Sequence, residues 1–123
     1  MRFLAALLLM VLGHSALAHH SYADYNRAER YELRGVITEI HWANPHILFT
    51  VSNGEKDMRV EWITVTGAEV TKVAREQFAV GDPVVIIGSR NRNPDVAIMT
   101  VIKEIRLPGK SWSWVSPDRR YSD

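Results

Sequence analysis

Between residues 31 and 107 the apolar positions fall into short strand-like runs, separated by glycine, proline and asparagine and interrupted once by a helical stripe. The first run spans about Tyr31 to Trp42. Tyr31 and Leu33 share one phase, while Val36, Ile40 and Trp42 follow Gly35 on another. A glycine at a change of phase predicts a bulge or sharp bend, as where a strand turns a barrel corner. Ala43-Asn44-Pro45 predicts a turn, because proline removes a ladder donor and disfavours helix at the preceding residue. The second run, His46 to Ser52, alternates Ile47, Phe49 and Val51 with His46, Leu48 and Thr50. Asn53-Gly54 then signals a hairpin. The third run, Met58 to Thr64, sets Met58, Val60 and Trp62 on one face.

Thr66-Gly67-Ala68-Glu69 has the form of a capping box, with Thr66 as the cap and Glu69 reaching back. Val70, Val73, Ala74 and Phe78 fall on one stripe, which predicts a helix of about three turns ended by Val80-Gly81-Asp82-Pro83. Val84 to Arg90 reads as a buried strand, Arg92-Asn93-Pro94-Asp95 as a turn, and Val96 to Leu107 as a long last strand. The order is three strands, a helix and two strands, with a bent first strand. It predicts a mainly β chain, a five-stranded OB-fold-like Greek-key barrel with one helix between strands 3 and 4. An SH3-like barrel or an open five-stranded sheet with one helix would give a similar string. The tail, 108–123, carries Trp112, Trp114, Arg119 and Arg120 without regular period. Covering an open barrel end is the role expected of its tryptophans, with docking to a partner as the alternative.

The N-terminus has a different pattern. Met1-Arg2 supplies charge, Phe3 to Leu12 an apolar run, and Ala16-Leu17-Ala18 the small residues read by signal peptidase. Residues 1–18 are therefore expected to be a signal peptide. The apolar run is shorter than the about 20 residues that a membrane-spanning helix needs. Cleavage after Ala18 exposes His19-His20-Ser21 at the head of a polar arm, residues 19–30, which Tyr22 and Tyr25 are placed to pin to the barrel domain at 31–107. A terminal amine beside two imidazoles offers borderline nitrogen donors suited to copper(II), nickel(II) or zinc(II).

The composition narrows the chemistry. The chain holds 15 basic and 14 acidic side chains, and the leader removes Arg2, so the remainder is balanced. Nucleic-acid binding needs a one-sided positive excess that is missing here, and nothing favours adhesion to an anionic membrane. With no cysteine, thiolate metal sites and thiol nucleophiles are excluded. No nucleophile elbow, paired-carboxylate arrangement, phosphate loop or dinucleotide fingerprint is visible.

His19-His20-Ser21, Tyr25, Gly35-Val36 and Trp42-Ala43-Asn44-Pro45-His46, with the later Gly81-Asp82-Pro83-Val84 and the Arg-Asn turn before Val96, resemble an uncharacterised family of small exported bacterial proteins. The resemblance covers essentially the whole mature chain and implies an exported, periplasmic, barrel-like protein. The Trp-rich tail from Ser111 departs from the family pattern. A looser likeness, in architecture and residue types only, is to periplasmic OB-fold copper chaperones, which use His, Met and a neighbouring Trp.

The candidate metal ligands are His19 through amine and ring, His20, His46 from the barrel, and His41 as a reserve or outer partner. His41 and His46 are five residues apart across the proline turn, a spacing at which they could face each other on adjacent strands. A disordered terminus with two ordinary sheet histidines is the bland alternative. Met58 and Met99 read as core filler, and Asn44 and Pro45 as turn formers. Arg90 and Arg92 share a face and suit either an anionic ligand or a solvated edge that resists aggregation. The expectation is a monomeric, non-enzymatic protein that binds copper first and zinc second. The competing expectation is an envelope module that engages a protein or glycan through its barrel face or Trp-rich tail. A copper oxidase using the same histidines is the enzymatic outsider.

Overall fold

The computed structural model describes residues 22–118. Its strands are β1 (Tyr31–His41), β2 (Leu48–Ser52), β3 (Asp57–Glu61), β4 (Pro83–Arg90), β5 (Ile98–Leu107) and β6 (Trp112–Val115), with the helix α1 (Val65–Val70) between β3 and β4. The strand order is β3-β2-β1-β4-β5-β6, and β3 also pairs with β5. That extra pairing is parallel, Arg59 with Ile98 and Val60 with Met99. It closes β1 to β5 into the expected five-stranded OB-type barrel, with its one helix after the third strand.

A long bent strand makes the closure possible. The first half of β1, Tyr31 to Val36, pairs with β4, and the second half, Val36 to His41, pairs with β2. The register slips between Ile37 and Glu39, just after Gly35 rather than at it. Gly35 serves a close approach instead, since a Cβ there would lie 2.3 Å from the Ser52 carbonyl oxygen. β5 divides its edge in a similar way. Its start pairs with β3, its end (Glu104 to Leu107) with β6, and its register against β4 slips between Ile87 and Ser89. Gly88 lies at this slip, and a Cβ on it would meet the Thr100 carbonyl oxygen at 2.9 Å.

The barrel is filled by Ile37, Phe49, Val51, Val60, Ile86, Met99 and Ile105, each contributing about 1.5–3 kcal/mol of apolar transfer. Met99 is the core filler its sequence context predicts, and Met58 packs against the cluster from its margin. An aromatic cluster plugs one end. Trp62 lies 5.9 Å from Phe49, 5.8 Å from Phe78 and 5.0 Å from Trp114 between ring centroids, and Trp42 packs on Trp62 and Phe78.

Two elements differ from expectation. The helix has six residues, not three turns, and its cap is Thr64 instead of Thr66: the Thr64 hydroxyl accepts from Gly67 N–H at 3.0 Å. Val65, Thr66, Val70 and Thr71 are β-branched and extend a helix poorly, and Lys72 takes a left-handed conformation that ends it. Val70, expected on the buried stripe, is 77% exposed. Phe78 still reaches the core, through an extended segment and a 3-10 turn at Arg75–Gln77. The second difference is the tail. Trp112 to Val115 forms a strand on β5, with Leu107 opposite Trp112 and Ile105 opposite Trp114. Trp114 is buried against Trp62, and Trp112 packs on Phe78 at 5.2 Å. The tryptophans cover the barrel, as the sequence favoured, and do so from a regular element.

Candidate functional site

The predicted ligands divide into two groups. His19 and His20 lie outside the described residues. His41 ends β1 with Leu48, not His46, as its cross-strand partner, so the two histidines do not oppose each other on adjacent strands. His41 shares a shallow groove on the outer barrel wall with Glu39, Thr50 and Arg59. His46 stands exposed in the turn that follows, one residue beyond the cis Asn44-Pro45 peptide. Among the described residues no group of three or more His, Asp or Glu is arranged to hold a metal ion.

Asn44 has a role its local sequence does not announce. Its side-chain oxygen accepts from Val65 N–H at 3.0 Å, across 21 residues of chain. With Thr64 bonded to Gly67, two of the unpaired N–H groups at the start of α1 are satisfied. Bonds between Ile47 N–H and the Ile63 carbonyl, and between Trp62 N–H and the Ile47 carbonyl, both 2.9 Å, fix the rest of the turn. The Asn44–His46 turn is therefore tied to the first turn of α1.

The arm is held by the end of β4 and the turn after it. Tyr25 is buried and bridges to Asn91, and Arg92 N–H donates to the Asp24 carbonyl at 2.8 Å. Arg90 bonds Glu29 at 3.0 Å and covers the Tyr31 ring at 4.8 Å. Arg90, one of the pair read as an anion site or solvated edge, thus anchors the arm. With Arg92, Asn26 and Asn91 it borders a polar hollow of about 340 Å³.

A second cleft, about 370 Å³, opens where β5 leaves β3 for β6. Tyr22, Val70, Val101 and Ile102 give it apolar walls, Trp62 and Trp114 its deepest surface, and Glu61 and Asp118 its carboxylates. Among the described residues no Lys, Arg or His lines it. The indole N–H groups of Trp62 and Trp114 are both buried without an acceptor, a costly state for a polar group inside a protein. The sequence reading missed this site. Its residues come from the arm, β3, α1, β5 and the tail, and only the tail tryptophans carried a local signal.

Comparison with known proteins is informative about descent. The profile of a family of unknown function (DUF6152) matches residues 6–100. The chain belongs to DUF6152. No curated protein matches the sequence. Among solved structures, the S. pombe Stn1-ten1 complex is similar at a TM-score of 0.46 with 14% identity, over 72% of this chain and 59% of that one. The DUF6152 match takes in the arm, the His46 turn, α1 and the start of β5. It stops before Val101, so Trp62 and Glu61 lie within the matched region and Trp114 and Asp118 beyond it.

Chemically, this DUF6152 chain presents imidazoles at both ends of the β1–β2 turn, guanidiniums at the arm, and carboxylates with buried indole donors in the α1 cleft.

Proposed function

We propose that this chain is an exported, non-enzymatic binding protein of the periplasm that chelates a transition metal ion, copper first and zinc second. His19 supplies the amine and ring nitrogen, His20 a further ring nitrogen, and His46 the donor from the barrel, with His41 behind it. The observation that supports the reading is that Tyr22 and the turn that bears His46 both lie beside α1. The described chain starts at Tyr22, in the wall of the cleft that Gly67 and Val70 of α1 also line. His19 precedes it by three residues, a reach of up to about 10 Å. The His46 turn is bound to Val65, the first residue of the same helix, and that helix is about 9 Å long. The leader-like residues 1–18 support export.

Copper(II) titration of residues 19–123 tests this. His19→Ala and His46→Ala each weaken binding by about tenfold or more, roughly 1.4 kcal/mol per lost donor. The His46 side chain can be changed without touching the core, since it is exposed. Unchanged affinity in both variants contradicts the proposal.

A further inference from the structure

We propose that the polar hollow between the arm and the β4–β5 turn binds a small hydroxylated carboxylate of the sugar-acid type. The hollow holds about 340 Å³ and is bordered by Asn26, Glu29, Arg90, Asn91, Arg92 and Pro94, a size within the range of small-molecule sites. Its charge is set by one side chain. The Arg90 guanidinium and the Glu29 carboxylate neutralise each other at 3.0 Å, so that pair leaves neither sign in excess. Arg92 is exposed, and among the described residues its guanidinium takes no hydrogen bond or ion pair. Asp24 and Asp95, the other carboxylates of the two segments, do not border the hollow. A guanidinium in that state presents a planar fork of donors that matches a carboxylate in two parallel bonds.

The other groups call for hydroxyls. Arg90 Nε bonds Glu29 Oε1, which leaves the second Glu29 oxygen as an acceptor and the Arg90 terminal N–H groups as donors. Asn91 Oδ1 accepts from Asn93 N–H at 2.9 Å, so its NH2 is the part on offer. The Asn26 amide adds one donor and one acceptor group. A hydroxyl both donates and accepts, so a run of hydroxyls answers this mixture, whereas acetate or phosphate does not. A neutral sugar meets the mixture but leaves Arg92 without its partner. The groups are also held in place before a ligand arrives. Arg90 lies over the Tyr31 ring at 4.8 Å, and Asn91 bridges to the buried Tyr25. Arg92 N–H donates to the Asp24 carbonyl at 2.8 Å, and Glu29 N–H to the Asn26 carbonyl at 3.0 Å. Such preorganisation lowers the ordering cost of binding. A solvated edge, the other role open to the arginine pair, needs only exposed guanidiniums. The arm instead walls them into a hollow that has acceptors of its own.

Among the described residues no histidine borders the hollow, so this inference is independent of the metal site. Its test uses metal-free protein, stripped on a chelating resin and kept in a buffer without carboxylates. D-glucuronate is the probe, titrated while the backbone amides are followed by NMR. Saturable shifts at Asn26, Asn91 and Arg92 are expected, with half-saturation at or below about 1 mM. D-glucose, which lacks the carboxylate, and acetate, which lacks the hydroxyls, are each expected to bind about tenfold more weakly. Arg92→Gln weakens D-glucuronate by about tenfold. It leaves D-glucose binding and the melting temperature unchanged, because the guanidinium bonds no described residue. Asn26→Ala weakens D-glucuronate by about threefold and leaves acetate unchanged. Failure of D-glucuronate to saturate overturns the proposal, as does an unchanged affinity in Arg92→Gln. Acetate or inorganic phosphate binding as tightly as D-glucuronate also overturns it, and makes the arginine pair a solvated basic edge.

Discussion

Asp82 shows how one side chain ties distant segments of this barrel together. Its carboxylate accepts from Ala79 N–H at 2.9 Å and from Lys110 Nζ at 2.7 Å, joining the turn before β4 to the turn before β6. Burial pushes its carboxyl upward, and the Lys110 ammonium with the Ala79 N–H outweighs that, so its pKa lies below the ordinary carboxylate value. A depressed native pKa stabilises the fold above the unfolded value, near 3.9, and that contribution is lost as pH falls through the native one. Asp82→Asn is therefore expected to cost about 1 kcal/mol near neutral pH. The difference from wild type should shrink toward zero as denaturation is repeated at falling pH below about 4. A gap that stays constant from neutral to acid pH would show that the ion pair contributes nothing.

At the scale of elements, the tail strand is a structural part of the barrel. β6 lies on the half of β5 that β3 leaves uncovered, and it delivers Trp114 to the aromatic plug. Trp114→Ala empties a buried aromatic site and should destabilise the protein by about 3–5 kcal/mol in urea unfolding. A loss under about 1 kcal/mol would show that the strand is dispensable packing. The succession β1 to β5 and the OB-type barrel were readable from apolar runs and the turn residues between them, because those depend on local pattern, whereas β6 was not, its tryptophans showing no regular period. The length of α1 was not. Val70, Val73, Ala74 and Phe78 have helical spacing, yet they reach their places through β-branched residues, a left-handed Lys72 and a 3-10 turn. Asn44 was legible as a turn former but not as the residue bonded to Val65, because that bond depends on tertiary placement.

At the scale of the molecule, the His46 turn and the largely apolar cleft both lie beside one short helix of the barrel. The turn that bears His46 is bonded to the start of α1, and the first described residue of the arm and the last described residues of the tail border the cleft beside it. Histidines announce themselves in a sequence by type and clustering, so the imidazole set was visible at once. The cleft was not, because its carboxylates and indoles lie far apart in the chain, at Glu61-Trp62 and at Trp114 and Asp118, and meet only after the barrel closes. What distinguishes a metal carrier from a barrel that only docks other proteins is the state of the exported chain. Native mass spectrometry of protein recovered from the exported fraction reads its N-terminus and its bound metal together. The account predicts a species starting at His19 and carrying a single copper or zinc ion. A retained leader, a chain trimmed past His20, or a His19 form that stays metal-free when copper is supplied would contradict it.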